Sequence, residues 1–314
     1  MDAQSCVVVG VDGSERALRA VRWAAAEAAR RHLPLRVVLA FEWPRHHPIG
    51  EIDLGESYRD VVRGQARRHL ADAAAVAERA VEGVEVEQRL VDGFPTPVLA
   101  AESERAQLVV IADRGLGGVS GLLLGSVAAG LGAHARCPLV VVRGVPDPEP
   151  GAPIVVGVDG SPLSEPALAF AYEAAAVRGV ALEAVHAWRE VVGDLDVATL
   201  LDWDAVEVEE RALLAERLAG WAEKFPDVPV RRVVTRERPA HVLVEQSRGA
   251  QLVVVGSRGR GGFTGLVLGS VSHAVLHHAH CPVAVVRSDV RAATASWFGS
   301  AEPGPSRSRG APLR

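Results

Sequence analysis

The feature that most constrains this chain is that it repeats itself. Val7-Val8-Val9-Gly10-Val11-Asp12-Gly13-Ser14 returns, 147 residues later, as Ile154-Val155-Val156-Gly157-Val158-Asp159-Gly160-Ser161. The stretch from Gly121 to Arg143 returns, 144 residues later, between Gly265 and Arg287. The order of segments is kept and the offset barely drifts, so a whole domain is duplicated rather than the unit of a short solenoid. A length of 314 residues agrees with two domains of about 150 residues each. The joint, Gly144-Val145-Pro146-Asp147-Pro148-Glu149-Pro150-Gly151, is rich in proline and favours a semi-extended linker. One domain is expected over residues 1–146 and a second over 147–288. A disordered Gly/Pro/Ser/Arg tail is expected over 289–314.

Within each half, short apolar runs alternate with longer amphipathic stretches. In the first half the runs are Cys6–Val11, Leu35–Phe41, Val84–Leu90, Leu108–Ala112 and Leu139–Arg143. They are separated by helical patterns over Ala17–Arg31, Tyr58–Val81, Pro95–Glu104 and the segment after the Gly125-Ser126 step. Ser14 offers the first helix a cap. The second half repeats the order with strands Ile154–Val158, Leu182–Trp188, Val230–Val234, Leu252–Val255 and Val283–Arg287. Its helical patterns are Leu163–Val177, Ala205–Lys224, Ala240–Arg248 and Leu268–Leu276. Strands that are apolar throughout are buried on both faces, which means parallel sheets covered by crossover helices. The expected class is α/β: two tandem Rossmann-like, doubly wound domains, each a five-stranded parallel sheet flanked by helices.

Composition removes several classes of function. With 34 Lys+Arg against 39 Asp+Glu, the chain has a net charge of −5 and lacks the basic stripe that nucleic-acid binding requires. The one arginine-rich stretch is the tail around Arg307-Ser308-Arg309, read as solvated. No apolar run approaches the roughly 18 residues of a membrane span, and the first residues lack the basic region of a secretory signal. Three cysteines without a CxxC motif point to a reducing compartment. A cytoplasmic protein is expected, with no nucleic-acid or membrane partner.

In a doubly wound sheet, ligands bind at the carboxyl ends of the strands where the winding reverses. Two features meet there. One is the Asp-Gly-Ser turn after the first strand, at Asp12 and again at Asp159. The other is the loop after the fourth strand. It reads Gly256-Ser257-Arg258-Gly259, nine residues, then Gly269-Ser270-Val271. In the first half it reads Ala112-Asp113-Arg114-Gly115, nine residues, then Gly125-Ser126-Val127. Glycines let backbone N–H groups approach a bulky ligand, and each Gly-Ser step opens a helix whose N-terminus attracts anions. The competing reading is that the glycines only shape a turn and the serine only caps a helix. Its weight falls because both halves keep the spacing. A Walker A loop is excluded, since it needs a lysine and the only one in the chain is Lys224. No G-x-G-x-x-G follows either first strand, which disfavours a dinucleotide site.

This pattern of strand-one Asp, G-x-x-G, nine residues, G-S and a final C-P-x-x-V-V-R strand closely resembles the universal stress protein family. The arrangement is similar to the tandem-domain members common in actinobacteria, and covers about residues 5–144 and 152–288. The resemblance implies a cytosolic, stress-response regulatory protein that binds ATP, with magnesium, at one site per domain. It places adenosine near Gly157, Val158 and Asp159, with Ala187 as an adenine wall. Val255 and Gly256 would flank the ribose, and Gly259, Gly269, Ser270 and Val271 would hold phosphate. The matching positions of the first site are Gly10, Val11, Asp12, Ala40, Ile111, Ala112, Gly115, Gly125, Ser126 and Val127. It also implies a pseudo-dimer of the two domains in which the fifth strands meet, with a protein partner and a homodimer as further expectations. The alternatives are a slow ATPase or self-phosphorylating enzyme, and a nucleotide-free interaction module. No catalytic residue is assigned.

Ala112 departs from the family pattern where the first loop glycine belongs. A β-carbon there costs about 1–2 kcal/mol if the position needs φ > 0; with negative φ, only the close approach to the ribose is affected. The second site is expected to bind more tightly. Arg114 and Arg258 are read equally as phosphate partners or solvated loop residues. Trp188 is read as core or as a border of the adenine pocket. Asp12 and Asp159 are read as binding or turn residues rather than catalytic carboxylates. His273, His277, His278, His280 and Cys281 form a helix-end cluster that is not assigned a metal. The cysteines are read as core. The acidic insertions Glu51–Glu56 and Asp194–Asp204 are read as solvated.

Overall fold

The structure, a computed structural model, describes residues 5–42, 55–115, 125–143, 149–188, 202–260 and 268–289, and the side chains of 55–59 are left aside. Residues 144–148 of the expected linker, the tail from residue 290, most of both acidic insertions and the middles of both glycine loops lie outside these residues.

The first half contributes strands β1 (Cys6–Val11), β2 (Leu35–Phe41), β3 (Val86–Asp92), β4 (Ala106–Ala112) and β5 (Leu139–Val142). Its helices are α1 (Glu15–Arg30), α2 (Gly55–Ala80), α3 (Pro95–Glu102) and α4 (Ser126–His134). The second half contributes β6 (Ile154–Gly157), β7 (Leu182–Ala187), β8 (Val230–Thr235), β9 (Leu252–Gly256) and β10 (Val283–Val286). Its helices are α5 (Glu165–Ala176), α6 (Trp203–Lys224), α7 (Pro239–Gln246) and α8 (Ser270–His278). Each half is a parallel sheet in the order third, second, first, fourth, fifth, as expected for a doubly wound unit.

The two halves share one sheet. β10 pairs antiparallel with β5, with Val283 opposite Val141 and Val285 opposite Leu139, so ten strands run in a single layer. This is the meeting of fifth strands that the family resemblance implied. Each of these four-residue strands is buried along its whole length. Burying a valine of this kind stabilises the fold by roughly 1.5–3 kcal/mol.

Alternation along the strands sends successive side chains to opposite faces. Val7, Val9, Val140, Val156 and Ala284 pack under α1, α2, α5 and α6. Val8, Val141, Val155, Val253 and Val283 pack under α3, α4, α7 and α8. Both core layers run through both halves.

Several element boundaries differ from the sequence reading by one or two residues, and two of these corrections have a plain cause. The third strand is Val86–Asp92 rather than Val84–Leu90, because it sits in register with β2 from Leu35–Val86 to Phe41–Asp92. It is the outer strand and half exposed, so its apolar pattern is weak. The last helix begins at Ser270 rather than Leu268, because Gly269 is extended at φ −67° and ψ 156°.

Glu27, on the otherwise apolar side of α1, is completely buried. It accepts from Arg31 at 2.7 Å and, across the junction of the halves, from Arg178 at 2.5 Å. Arg31 in turn donates to Glu173 of α5. Burial by itself would raise the Glu27 carboxyl, but Arg178, Arg31 and Arg30 outweigh it and hold it below its ordinary value. Glu173 has fewer cations around it, and there burial prevails and raises the carboxyl.

Candidate functional site

β1 is flanked by β2 on one side and β4 on the other, so the winding reverses beside its carboxyl end. Asp12 follows it there, and Asp159 follows β6 in the same way. Each begins a tight turn whose glycine takes a left-handed conformation, at φ +87° for Gly13 and +77° for Gly160. The carboxylates close these turns. Ser14 N–H donates to Asp12 Oδ1 at 3.0 Å, and Ser161 donates to Asp159 Oδ1 from its backbone at 2.9 Å and its hydroxyl at 2.8 Å. Ser14 also caps α1, accepting from Ala17 N–H at 3.1 Å.

The second carboxylate oxygen reaches the glycine loop of the neighbouring strand. Asp159 Oδ2 accepts from Arg260 N–H at 2.7 Å. A β-carbon on Gly259 would stand 2.7 Å from that same oxygen, and one on Gly115 would collide with Asp12 Oδ2. These glycines are therefore required by contact rather than by backbone angle. The Asp-Gly-Ser turn and the glycine loop, separate signals in the sequence, form one unit held by the aspartate.

The far end of each loop is also anchored. Gly125 N–H donates to Asp113 carbonyl oxygen at 3.0 Å, and Gly269 N–H donates to Ser257 carbonyl oxygen at 2.8 Å. The next residues, Ser126 and Ser270, are exposed at the mouths of α4 and α8. They do not cap these helices. Gly125 and Gly269 are the capping residues, and neither mouth has a side-chain cap. That sets the two mouths apart. α1 and α6 are capped by Ser14 and Asp202, while α3, α5 and α7 carry proline in the first turn. Among the α-helices whose capping residue is described, only α4 and α8 have neither. The first N–H groups of a helix have no intrahelical acceptor, so the mouths at Ser126-Val127 and Ser270-Val271 present donors together with the positive end of the helix dipole.

Most of the other expected positions are buried or tightly packed. Val11, Val158, Ile111 and Val255 are buried in the sheet core. A β-carbon on Gly10 would stand 2.7 Å from a δ-carbon of Leu99, and one on Gly157 2.9 Å from a δ-carbon of Leu243, so those leucines would have to shift. Ala40 and Ala187 are half-buried near the carboxyl ends of β2 and β7.

The Ala112 position takes no positive φ, so backbone strain plays no part in the difference between the loops. What differs is space: at Gly256 a β-carbon would stand 3.0 Å from the Arg258 carbonyl oxygen. Comparison of the halves also exposes what the motif search missed. Asp113 stands where the second loop has Ser257, and its two oxygens each lie 3.0 Å from Arg16 Nη1. Leu163 takes the place of Arg16 in the second half. His69 packs on Gly13, where Leu213 packs on Gly160.

Other titratable groups are engaged in structure. His186, buried on β7, places Nδ1 2.7 Å from Val158 carbonyl oxygen and Nε2 2.6 Å from Glu210, so both ring nitrogens are occupied. His273 and His277 lie with ring centroids 4.3 Å apart. Among the described residues no group of three or more His, Cys, Asp or Glu is placed to hold a metal. Trp188 is buried and stacks on Trp203 with centroids 6.2 Å apart. Cys6, Cys137 and Cys281 are free and buried. Among the described residues no helix is long and apolar enough to cross a membrane.

Comparison with known proteins agrees with this architecture. The model of the universal stress protein family matches residues 6–143 and again 152–287. The universal stress protein Rv2005c of Mycobacterium tuberculosis is 45% identical over 298 residues, covering 90% of this chain and 97% of that protein. Rv2623 of the same organism is 41% identical over 291 residues, with 90% and 97% covered. Among solved structures, a universal stress protein from Archaeoglobus fulgidus superimposes with a TM-score of 0.65 at 22% identity. That match covers 91% of this chain and 99% of the other, and shows the shared fold. With both halves matched and such relatives along nearly its whole length, the chain belongs to the universal stress protein family.

Proposed function

We propose that this protein is a cytoplasmic ATP-binding regulator with one nucleotide site in each half, the second more intact than the first. The observation that carries this reading is the pair of uncapped helix mouths at Ser126 and Ser270, each joined to a glycine loop that a strand-one aspartate holds in place. Folded proteins pair almost all backbone donors, and a proline or a side-chain oxygen provides for the other described first turns. At α4 and α8 a phosphate would fill that role.

The residues fit an adenine nucleotide. Gly157, Val158 and Ala187 line the adenosine end through backbone and small side chains, and the main chain of Val255 and Gly256 flanks the ribose. Gly259, Gly269, Ser270 and Val271 supply the phosphate donors. In the first half Gly10, Val11, Ala40, Ile111, Ala112, Gly115, Gly125, Ser126 and Val127 do the same. Asp12 and Asp159 hold the loop shut, so magnesium enters on the phosphates rather than in a carboxylate cage. Binding, rather than turnover, is the output, read by a protein partner through the shared sheet and the helices around it.

Mass spectrometry of small molecules released from freshly purified protein, followed by calorimetry with Mg-ATP and Mg-GTP, tests this. ATP released or bound with about two sites per chain supports the reading. No binding of either nucleotide overturns it.

A further inference from the structure

The helix that forms the second anion mouth is held at both ends by the other half of the molecule. At its start, Leu268 immediately precedes the capping Gly269 and is buried. Its two δ-carbons lie 3.0 and 3.1 Å from where a β-carbon would stand on Gly132 of α4. At its finish, Arg143, just past β5, donates from Nη1 to the carbonyl oxygen of Leu276. Leu276 is among the last four residues of α8, whose carbonyls lack intrahelical partners, and a cation there complements the helix dipole.

Both contacts belong to this chain's own asymmetry. The duplicate of Gly132 is Leu276, so the space that admits Leu268 against α4 is filled by a leucine on the opposite helix. The duplicate of Arg143 is Arg287, whose guanidinium is engaged by Asp289 at 2.8 and 2.5 Å. Duplication alone would make the two grips reciprocal; among the described residues, Arg143 grips the opposite helix while Arg287 turns to its own strand end. Arg143 also lies in the electrostatic reach of Asp113 and Arg114 of the first loop and of Arg16 on α1.

We propose that Gly132 and Arg143 of the first half are positioning residues for the second nucleotide site, fixing the helix mouth at Ser270 from across the junction. The proposal rests on the nucleotide-binding reading above. Packing against Gly132 sets where Leu268, and hence the Gly269-Ser270 step, can lie. The Arg143 bond sets the axial position of the same helix. An anion site made of backbone N–H groups depends on the placement of a whole helix end rather than on one movable side chain. A shift of about 1 Å therefore suffices to weaken it markedly.

The test uses the full chain in a Ser126→Glu background, so that the second site alone reports Mg-ATP affinity by calorimetry. Binding in this background establishes the nucleotide reading; its absence would overturn that reading and this inference with it. Gly132→Leu and Arg143→Met are each expected to weaken second-site binding by about tenfold or more, and Arg143→Lys to restore most of the loss. Leu268→Ala should also weaken binding, and Gly132→Leu added to it should cost little more, since the two changes remove one contact. Gly132→Ala, a smaller intrusion, provides the same reading should the leucine variant fail to fold. Variants that melt like the parent and bind Mg-ATP within twofold of it would overturn the proposal. So would fully additive effects of Gly132 and Leu268 changes.

Discussion

Arg31 and Arg178 occupy equivalent positions in the two halves, and each reaches across the junction to the other's aromatic residue. Arg31 lies 5.4 Å over the ring of Phe170, and Arg178 lies 5.8 Å over the ring of Trp23, itself the duplicate of Phe170. Such exchange is the mark of a two-fold interface, in which residue i meets j and j meets i. The chain has kept the geometry of a symmetric dimer inside one polypeptide. Divergence has since placed Glu27 and Glu173 unequally among these arginines.

That inequality predicts opposite responses at two glutamates. Glu27→Ala leaves Arg31 and Arg178 buried without their shared carboxylate, and is expected to cost about 3–5 kcal/mol in urea unfolding at pH 7. Because the folded protein holds Glu27 below its ordinary value of 4.5, its contribution is complete above that pH and fades as pH falls through the folded value. Glu173 has a raised value, so its ionisation weakens the fold as pH rises through and above 4.5. Glu173→Gln should therefore cost far less than Glu27→Ala at pH 7. Equal losses would contradict this assignment of charge.

A negative charge at either helix mouth separates stability from binding. Ser270→Glu places a carboxylate at the first position of α8, where the helix dipole favours it by about 0.3–1 kcal/mol. The melting temperature should hold or rise. The same charge repels phosphate, so calorimetry should show one Mg-ATP site lost, and Ser126→Glu should remove the other. A Ser270→Glu protein that keeps both sites would show that phosphate is not bound there.

The difference between the loops reduces to one β-carbon. Gly256→Ala puts that atom 3.0 Å from the Arg258 carbonyl, a backbone atom that must move. Second-site affinity should fall about tenfold, equivalent to about 1.4 kcal/mol. Ala112→Gly should tighten the first site in the same assay. Unchanged affinity in both would leave Asp113 and its Arg16 partner, rather than Ala112, as the source of any difference between the sites.

The three thiols should be silent in the folded protein. Burial pushes Cys281 up to about 12 and raises Cys137 and Cys6 as well. Since the thiolate is the reactive form, a disulfide reagent at pH 8 should label none until denaturant is added, and then all three. Fast labelling of one thiol in native buffer would show an opening at that strand.

The sequence by itself determined the duplication, the α/β class, the order of elements and the position of the loops. Each of these rests on local pattern: apolar runs of strand length, glycines at fixed spacing, a serine at a helix start. It also marked Ser14 as a cap, because capping needs only residues three apart. What it left undecided depends on residues far apart in the chain. Glu27 looks like a solvated charge on α1 until Arg178 is brought to it. Gly259 reads as a glycine that shapes a turn or admits a ligand until the Asp159 carboxylate is found where its side chain would be. The antiparallel joining of β5 to β10 aligns the second half with the first, and with it come Leu268 against Gly132 and Arg143 against Leu276. Local sequence sets backbone angles and which face is apolar, whereas contacts between halves arise only once both sheets have closed into one.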